Sequence, residues 1–214
     1  MRVLLPLLLL SVALISCKSS QSNLPYLGQT IIENGKEIHH KVGNFSHYNQ
    51  DSVLMTNKDF ENNIYVADFF FTSCPSICPK VAKQMLRIYE AVKDDPTVKL
   101  VSFTIDPIRD TPAKLKLYAD NLGIDHTKWY FLTGDKDATL ELANTFFVAA
   151  LEDPEAPGGF DHSGKIILVD KDGHVRSFSE GTDAETTPQL IEDIKAFTLF
   201  PYTTLFRSGS EERR

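Results

Sequence analysis

Residues 65–79 read Tyr65-Val-Ala-Asp-Phe-Phe-Phe-Thr-Ser-Cys74-Pro-Ser-Ile-Cys78-Pro79. The near-continuous apolar run from Ile64 to Phe71 is the pattern of a strand covered on both faces, which places it in a sheet between helices. The run ends in a turn, and the two thiols fall where the next helix begins. Residues four apart on a helical turn share a face, so both sulfurs can meet one ion or each other. A helix N-terminus favours the anion and lowers a thiol pKa. The pair therefore suits soft-metal binding, disulfide exchange, or both.

Working outward, a strand near Phe45–Tyr48, a turn at 49–52 and a partner strand Val53–Thr56 precede this unit. Val81, Met85, Ile88, Tyr89 and Val92 recur at helical spacing after the cysteines. Val98–Ile105 is the next strand. Asp106-Pro-Ile-Arg109-Asp110-Thr111-Pro112 follows, in which Asp110 or Thr111 can cap a helix and Pro112 fits its first position. Gly123 is a helix stop, Trp129–Leu132 a short strand and Asp137–Phe147 a further helix. Ile166–Val169 and Val175–Phe178 flank Asp170-Lys-Asp-Gly173 as a hairpin, and Pro188–Phe197 is a last helix. Strands interleaved with helices, then a hairpin and a helix, predict a three-layer α/β domain over residues 45–197.

The two ends read differently. The first 17 residues carry a short charged start, an apolar stretch from Val3 to Ala13 and Leu14-Ile15-Ser16-Cys17, which has the form of a bacterial lipobox. Lipidation of Cys17 is expected; a signal peptide with an incidental cysteine is the alternative. Residues 18–44 form a polar tether and an extended approach to the domain. Thr198–Ser208, Thr-Leu-Phe-Pro-Tyr-Thr-Thr-Leu-Phe-Arg-Ser, is the translation of a common sequencing adapter, so residues 198–214 are expected to be non-native read-through. The net charge of −7 over 214 residues is mild and dispersed and excludes a basic nucleic-acid-binding surface. With Cys17 set aside, the three cysteines leave one pair in an oxidising compartment. A disulfide closing so small a loop stabilises little, so the pair fits chemistry better than stapling.

A stable soft-metal site on Cys74 and Cys78 lacks a third ligand, and histidine is the natural one. His39, His40, His47, His126 and His174 sit in polar sequence and read as solvated surface residues. His162 differs: it lies in Gly158-Gly159-Phe160-Asp161-His162-Ser163-Gly164, read as a loop before a strand, where glycines permit close approach and Asp161 can orient the ring. Two thiolates and an imidazole suit copper in either oxidation state, and zinc less well because it wants a fourth ligand. Asp106, at the end of a central strand, is either a group supporting the site or a turn residue; Asp110 reads as structural.

Cys74-Pro-Ser-Ile-Cys78-Pro79, Asp106-Pro-Ile-Arg-Asp110-Thr-Pro112 and Asp161-His162-Ser163, in that order, resemble the Sco/SenC family of copper proteins. The resemblance spans about residues 45–197. It implies a thioredoxin-like fold with a central mixed sheet flanked by helices, and copper, as Cu(I) or Cu(II), held by Cys74, Cys78 and His162. It further implies delivery to the CuA-bearing subunit of cytochrome c oxidase or another copper acceptor, from a membrane-anchored domain on the periplasmic side. Ser76 departs from the family's frequent Asp and removes a negative charge beside the thiols. The alternative function is a thiol-disulfide reductase that keeps the acceptor's copper-binding cysteines reduced. Cys74, expected to be the more exposed, then attacks and Cys78 resolves. Three residues between the cysteines, against the two common in dedicated reductases of this fold, favour the chaperone. A peroxidase would leave His162 idle.

Overall fold

Every residue from Ile64 to Phe70 is buried, as a strand with helices on both faces requires. A computed structural model describes residues 24–198; the lipobox at Cys17, tether residues 18–23 and residues 199–214 lie outside them. In chain order the strands are β1 Thr30–Glu33, β2 Lys36–His39, β3 Ser46–Asn49, β4 Leu54–Thr56, β5 Ile64–Phe70, β6 Val98–Thr104, β7 Trp129–Thr133, β8 Ala150–Glu152, β9 Phe160–His162, β10 Lys165–Val169 and β11 Val175–Glu180. The helices are α1 Cys78–Val92, α2 Pro112–Leu122, α3 Lys136–Thr145 and α4 Thr187–Thr198. Among the described residues no helix is long and apolar enough to cross a membrane.

Seven strands form one mixed sheet in the order β11-β10-β5-β6-β7-β3-β4. Strands β5, β6 and β7 are parallel, and the flanking pairs are antiparallel. Side chains alternate between the two faces. On one face Phe70 and Phe131 meet Tyr118 of α2, and Trp129 meets Tyr89 of α1. On the other, Tyr65, Phe69 and Phe103 surround Phe146 at the end of α3. This is the expected three-layer arrangement, with β5 in the sheet interior between β10 and β6 and the cysteines beyond the strand's C-terminal end.

The cap of α2 is Thr111, whose hydroxyl accepts from the Lys114 N–H, with Pro112 in the first turn and Gly123 left-handed at the C-terminus. Residues 24–44, expected to be extended, instead contain the β1–β2 hairpin, turned at Asn34 and Gly35, both with positive φ. A second small sheet pairs β8 with β9, so His162 ends a strand where a loop was expected. His47, expected on the surface, is buried, and its Nε2 lies 2.7 Å from Thr139 Oγ1. His39, His40, His126 and His174 are half-buried.

Asp68 interrupts β5 with a carboxylate in the core. It accepts from Ser102 Oγ, which in turn accepts from Trp129 Nε1 at 2.9 Å. Burial, opposed by the Ser102 hydrogen bond, pushes its pKa up to about 7. The folded chain therefore holds a proton here that the unfolded chain releases above its ordinary carboxylate range. Stability should fall as pH rises from about 4 through about 7, at up to about 1.4 kcal/mol per unit, and then level off. Asp68→Asn keeps an acceptor for Ser102 and removes the charge. Urea denaturation at pH 5 and pH 8 should show the variant gaining on the wild type at the higher pH. Equal pH slopes for the two proteins would refute a raised Asp68.

Candidate metal centre

Both cysteines are free thiols and both are buried. Cys74 lies in the turn after β5, where its N–H donates to the Phe71 carbonyl at 3.2 Å, and Cys78 is the first residue of α1. The expectation of two thiols on one helical turn is thus corrected: one sulfur precedes the helix and the other begins it. Ile77 offers no side-chain cap at the start of α1, and the backbone N–H groups of Ser76 and Cys78 turn to the Cys74 sulfur instead. His162, delivered by β9 from 84 residues away, sets its Nε2 3.5 Å from Cys78 Sγ. Ligand atoms of Cys74, Cys78 and His162 all lie within 4.8 Å of one another, the one such group among the described residues.

The two thiols are electrostatically unequal. Burial opposes the Cys74 thiolate, yet the N–H groups of Cys78 and Ser76, the Cys78 thiol and the Ser76 hydroxyl outweigh it and lower the pKa. The Ser76 Oγ sits 3.6 Å from Cys74 Sγ, so this serine favours the anion directly. Burial dominates at Cys78 and pushes its pKa up. Exposure does not separate the pair, at 8% for Cys74 and 5% for Cys78, so the expected difference in accessibility is replaced by one in thiolate stability. Burial also lowers the His162 pKa, which keeps its imidazole neutral and able to ligate.

An aromatic wall encloses the site. Phe71 meets His162 edge-on at 5.7 Å and Phe160 at 5.4 Å. Gly158 has φ +87°, and a Cβ there would lie 2.6 Å from Phe71 Cε2, so this glycine lets the β8–β9 connection close on the ring. Asp161 is exposed, and His162 Nδ1 is buried without a hydrogen-bond partner, so Asp161 does not orient the ring as expected. Asp106 is buried, but Arg109 engages it and it is not one of the converging ligands. Asp110 is fully buried and accepts from Thr72 and Thr104, a structural role as expected, though not as a cap. Three residues around the site escaped sequence reading. Asp68 was hidden inside an apolar run, Arg109 acts on a partner 49 residues away, and Phe71 read as the end of a strand.

The donor set fits a soft ion: two free sulfurs and one neutral imidazole, its Nε2 turned to the Cys78 sulfur, in a buried, aromatic-walled pocket. A helix-flanked mixed sheet with this cluster at the end of its central strand defines a thioredoxin-like domain built around a candidate soft-metal site. The sequence profile of the SCO1/SenC family matches residues 33–199, and the chain belongs to that family. A SCO1 protein homolog of Bacillus subtilis is 30% identical over 161 residues, covering 74% of this chain and 83% of the relative. The structure of BsSco, described as a member of the Sco family of cytochrome c oxidase assembly proteins with a disulfide switch, is 30% identical with a TM-score of 0.65. The match covers 73% of this chain and 92% of that one. Bradyrhizobium japonicum ScoI, solved with copper bound, is 26% identical with a TM-score of 0.60, over 72% of this chain and 98% of that one.

Proposed function

We propose that this chain binds one copper ion through Cys74, Cys78 and His162 and delivers it to the CuA-bearing subunit of cytochrome c oxidase. The observation that carries the reading is the convergence of two free thiols and a neutral imidazole within 4.8 Å in a buried pocket. Copper-bound ScoI and the description of BsSco as a member of a family of cytochrome c oxidase assembly proteins support the metal and the acceptor. Leu14-Ile15-Ser16-Cys17 supports a lipid anchor with the domain outside the cytoplasm. Cys74 supplies the first thiolate, because its environment already favours the anion. Cys78 must release its proton as the ion enters, and the positive charge then offsets the burial that held that proton in place. Transfer proceeds by exchange of these ligands for the acceptor's own thiols.

Copper titration of the reduced chain, followed by mixing with the metal-free soluble CuA domain, tests this reading. One-to-one binding followed by appearance of the CuA absorption is expected; absence of stoichiometric binding would refute it. The raised Cys78 pKa adds a sign. Apparent affinity for Cu(I) should rise with pH between 6 and 8, by about tenfold per unit for each proton released. A pH-independent affinity would show that both sulfurs are already thiolates.

A second reading, thiol-disulfide reductase, draws on the same asymmetry. The Cys74 thiolate attacks one sulfur of an acceptor disulfide, and the Cys78 thiolate displaces the resulting mixed disulfide. The acceptor leaves as a dithiol, and the chain keeps the two oxidised sulfurs as a Cys74–Cys78 bond. The two activities share their cysteines and differ in their need for His162.

A further inference from the structure

Arg109 lies outside the ligand triangle yet touches three of the parts that build it. Its Nε donates to Asp106 Oδ2, its Nη2 donates to the Gly158 carbonyl at 2.6 Å, and its guanidinium sits 5.9 Å over the Phe71 ring. The arginine side chain is 45% exposed, while that of Asp106 is 5% exposed. Holding so exposed an arginine in one conformation costs rotamer entropy, so three convergent contacts mark a fixed element of the site. The ion pair compensates the buried Asp106 carboxylate, but helix capping does not account for the contacts to Gly158 and Phe71, since α2 is capped by Thr111 and begins after Arg109.

What the three contacts join is the two halves of the metal centre. Gly158 belongs to the connection between β8 and β9 that ends in His162. Phe71 accepts from the Cys74 N–H through its carbonyl and packs its ring on His162. The ring is thus bounded by the guanidinium, the imidazole and the backbone of Gly158. The three residues of β9 pair with β8 and not with the cysteine turn, and the 153–159 segment's own backbone bonds are local: Asp153 N to Gly159 O at 3.1 Å, Ala156 N to Asp153 O at 3.0 Å and Gly159 N to Ala156 O at 2.9 Å.

We propose that Arg109 is a positioning residue for the metal centre, fixing the β8–β9 connection and hence His162 in register with the turn that carries Cys74. The proposal rests on Cys74, Cys78 and His162 being the ligand set. Its test uses the reduced full chain and the variants Arg109→Met, Arg109→Lys and Asp106→Asn/Arg109→Met, with two readouts. The first is amide hydrogen exchange without copper. Arg109→Met should speed exchange across 153–162 by about tenfold or more and leave β6 and β10 unchanged. The second is Cu(I) and Cu(II) affinity with the sulfur-to-copper absorption band. Affinity should fall about tenfold or more and the band should shift, as when an outer partner of a metal ligand is lost.

Arg109→Lys, which keeps charge but lacks the planar fork, should recover only part of the loss. The double variant, in which Asp106 is no longer a buried unpaired carboxylate, should stay impaired; full recovery would assign the effect to Asp106 and overturn the proposal. Unchanged exchange in Arg109→Met overturns it without reference to copper. Faster exchange with wild-type affinity and spectrum also overturns it, because Arg109 would then not position the ligand. Failure of the wild type to bind copper overturns the ligand set itself, and the role of Arg109 with it.

Discussion

His162→Ala is expected to lower copper affinity by more than about 100-fold while leaving thiol-disulfide exchange through Cys74 and Cys78 within about threefold of wild type. Loss of a residue that merely orients a ligand costs about 10–100-fold, and His162 is proposed to supply the ligand atom itself. Its Nε2, 3.5 Å from Cys78 Sγ, is the third donor of the cluster, and two sulfurs alone leave a tight Cu(II) site incomplete. The fold should survive, because the imidazole's Nδ1 is unsatisfied and the partners lost on its removal are the Cys78 sulfur and the Phe71 ring. Disulfide exchange needs only the lowered Cys74 pKa and a resolving sulfur, neither of which His162 provides. Copper titration and exchange kinetics on the same preparation read both quantities. Retained copper affinity would remove His162 from the ligand set. Equal loss of both activities would show that the imidazole also sets thiol chemistry, and the division between chaperone and reductase would fall. Cys78→Ser makes the complementary case: it should abolish both, since a hydroxyl neither binds soft copper nor resolves a mixed disulfide.

The parts of the molecule legible from sequence are those where hydrophobic pattern and turn chemistry agree. β5 was readable because it is buried on both faces, α1 because Val81, Met85, Ile88, Tyr89 and Val92 face the sheet, and the β10–β11 hairpin because Asp172 and Gly173 mark its turn. The β1–β2 hairpin was missed because nearly all its residues are exposed, so no alternation betrays it; only Asn34-Gly35 carried the signal. His47 was misplaced for a related reason. In Ser46-His47-Tyr48-Asn49 the polar His47 and Asn49 point inward and Tyr48 points out, the reverse of what polarity suggests, because Thr139 and Met55 wait as partners. That Cys74, Cys78 and His162 come together was legible because two cysteines and one histidine lie in recognisable motifs. What holds it was not: Arg109 to Gly158 and Thr72 to Asp110 are tertiary contacts between segments 49 and 38 residues apart, and no local pattern reports them.

The largest effect on stability is expected at Asp110, and it follows from that last contact. Its side chain is fully buried, and its two oxygens accept from the Thr72 N–H at 2.9 Å, the Thr72 hydroxyl and the Thr104 hydroxyl at 2.6 Å. Lys114 Nζ approaches at 3.3 Å and balances the charge. The carboxylate thus binds the end of β6 to the turn leaving β5, two residues before Cys74. Asp110→Ala strands the buried Thr104 hydroxyl and the half-buried Thr72 N–H and hydroxyl, while the 42% exposed Lys114 returns to water, a loss of about 2–4 kcal/mol. In a domain of this size that corresponds to about 4–16 °C in Tm. Asp110→Asn keeps one acceptor oxygen but turns an NH2 group toward donors, so it should recover only part of the loss. Urea midpoints for the three proteins order these effects. An alanine variant within about 1 kcal/mol of wild type would mean that water or a rearranged turn satisfies Thr72 and Thr104. Because the stranded groups adjoin the cysteine turn, the folded fraction of Asp110→Ala should also bind copper more weakly, and the affinity should fall in both oxidation states together. His162→Ala differs in kind, since it should impair Cu(II) more than Cu(I), for which two thiolates are a sufficient base. The pair of variants therefore separates a residue that holds the ion from one that holds the turn.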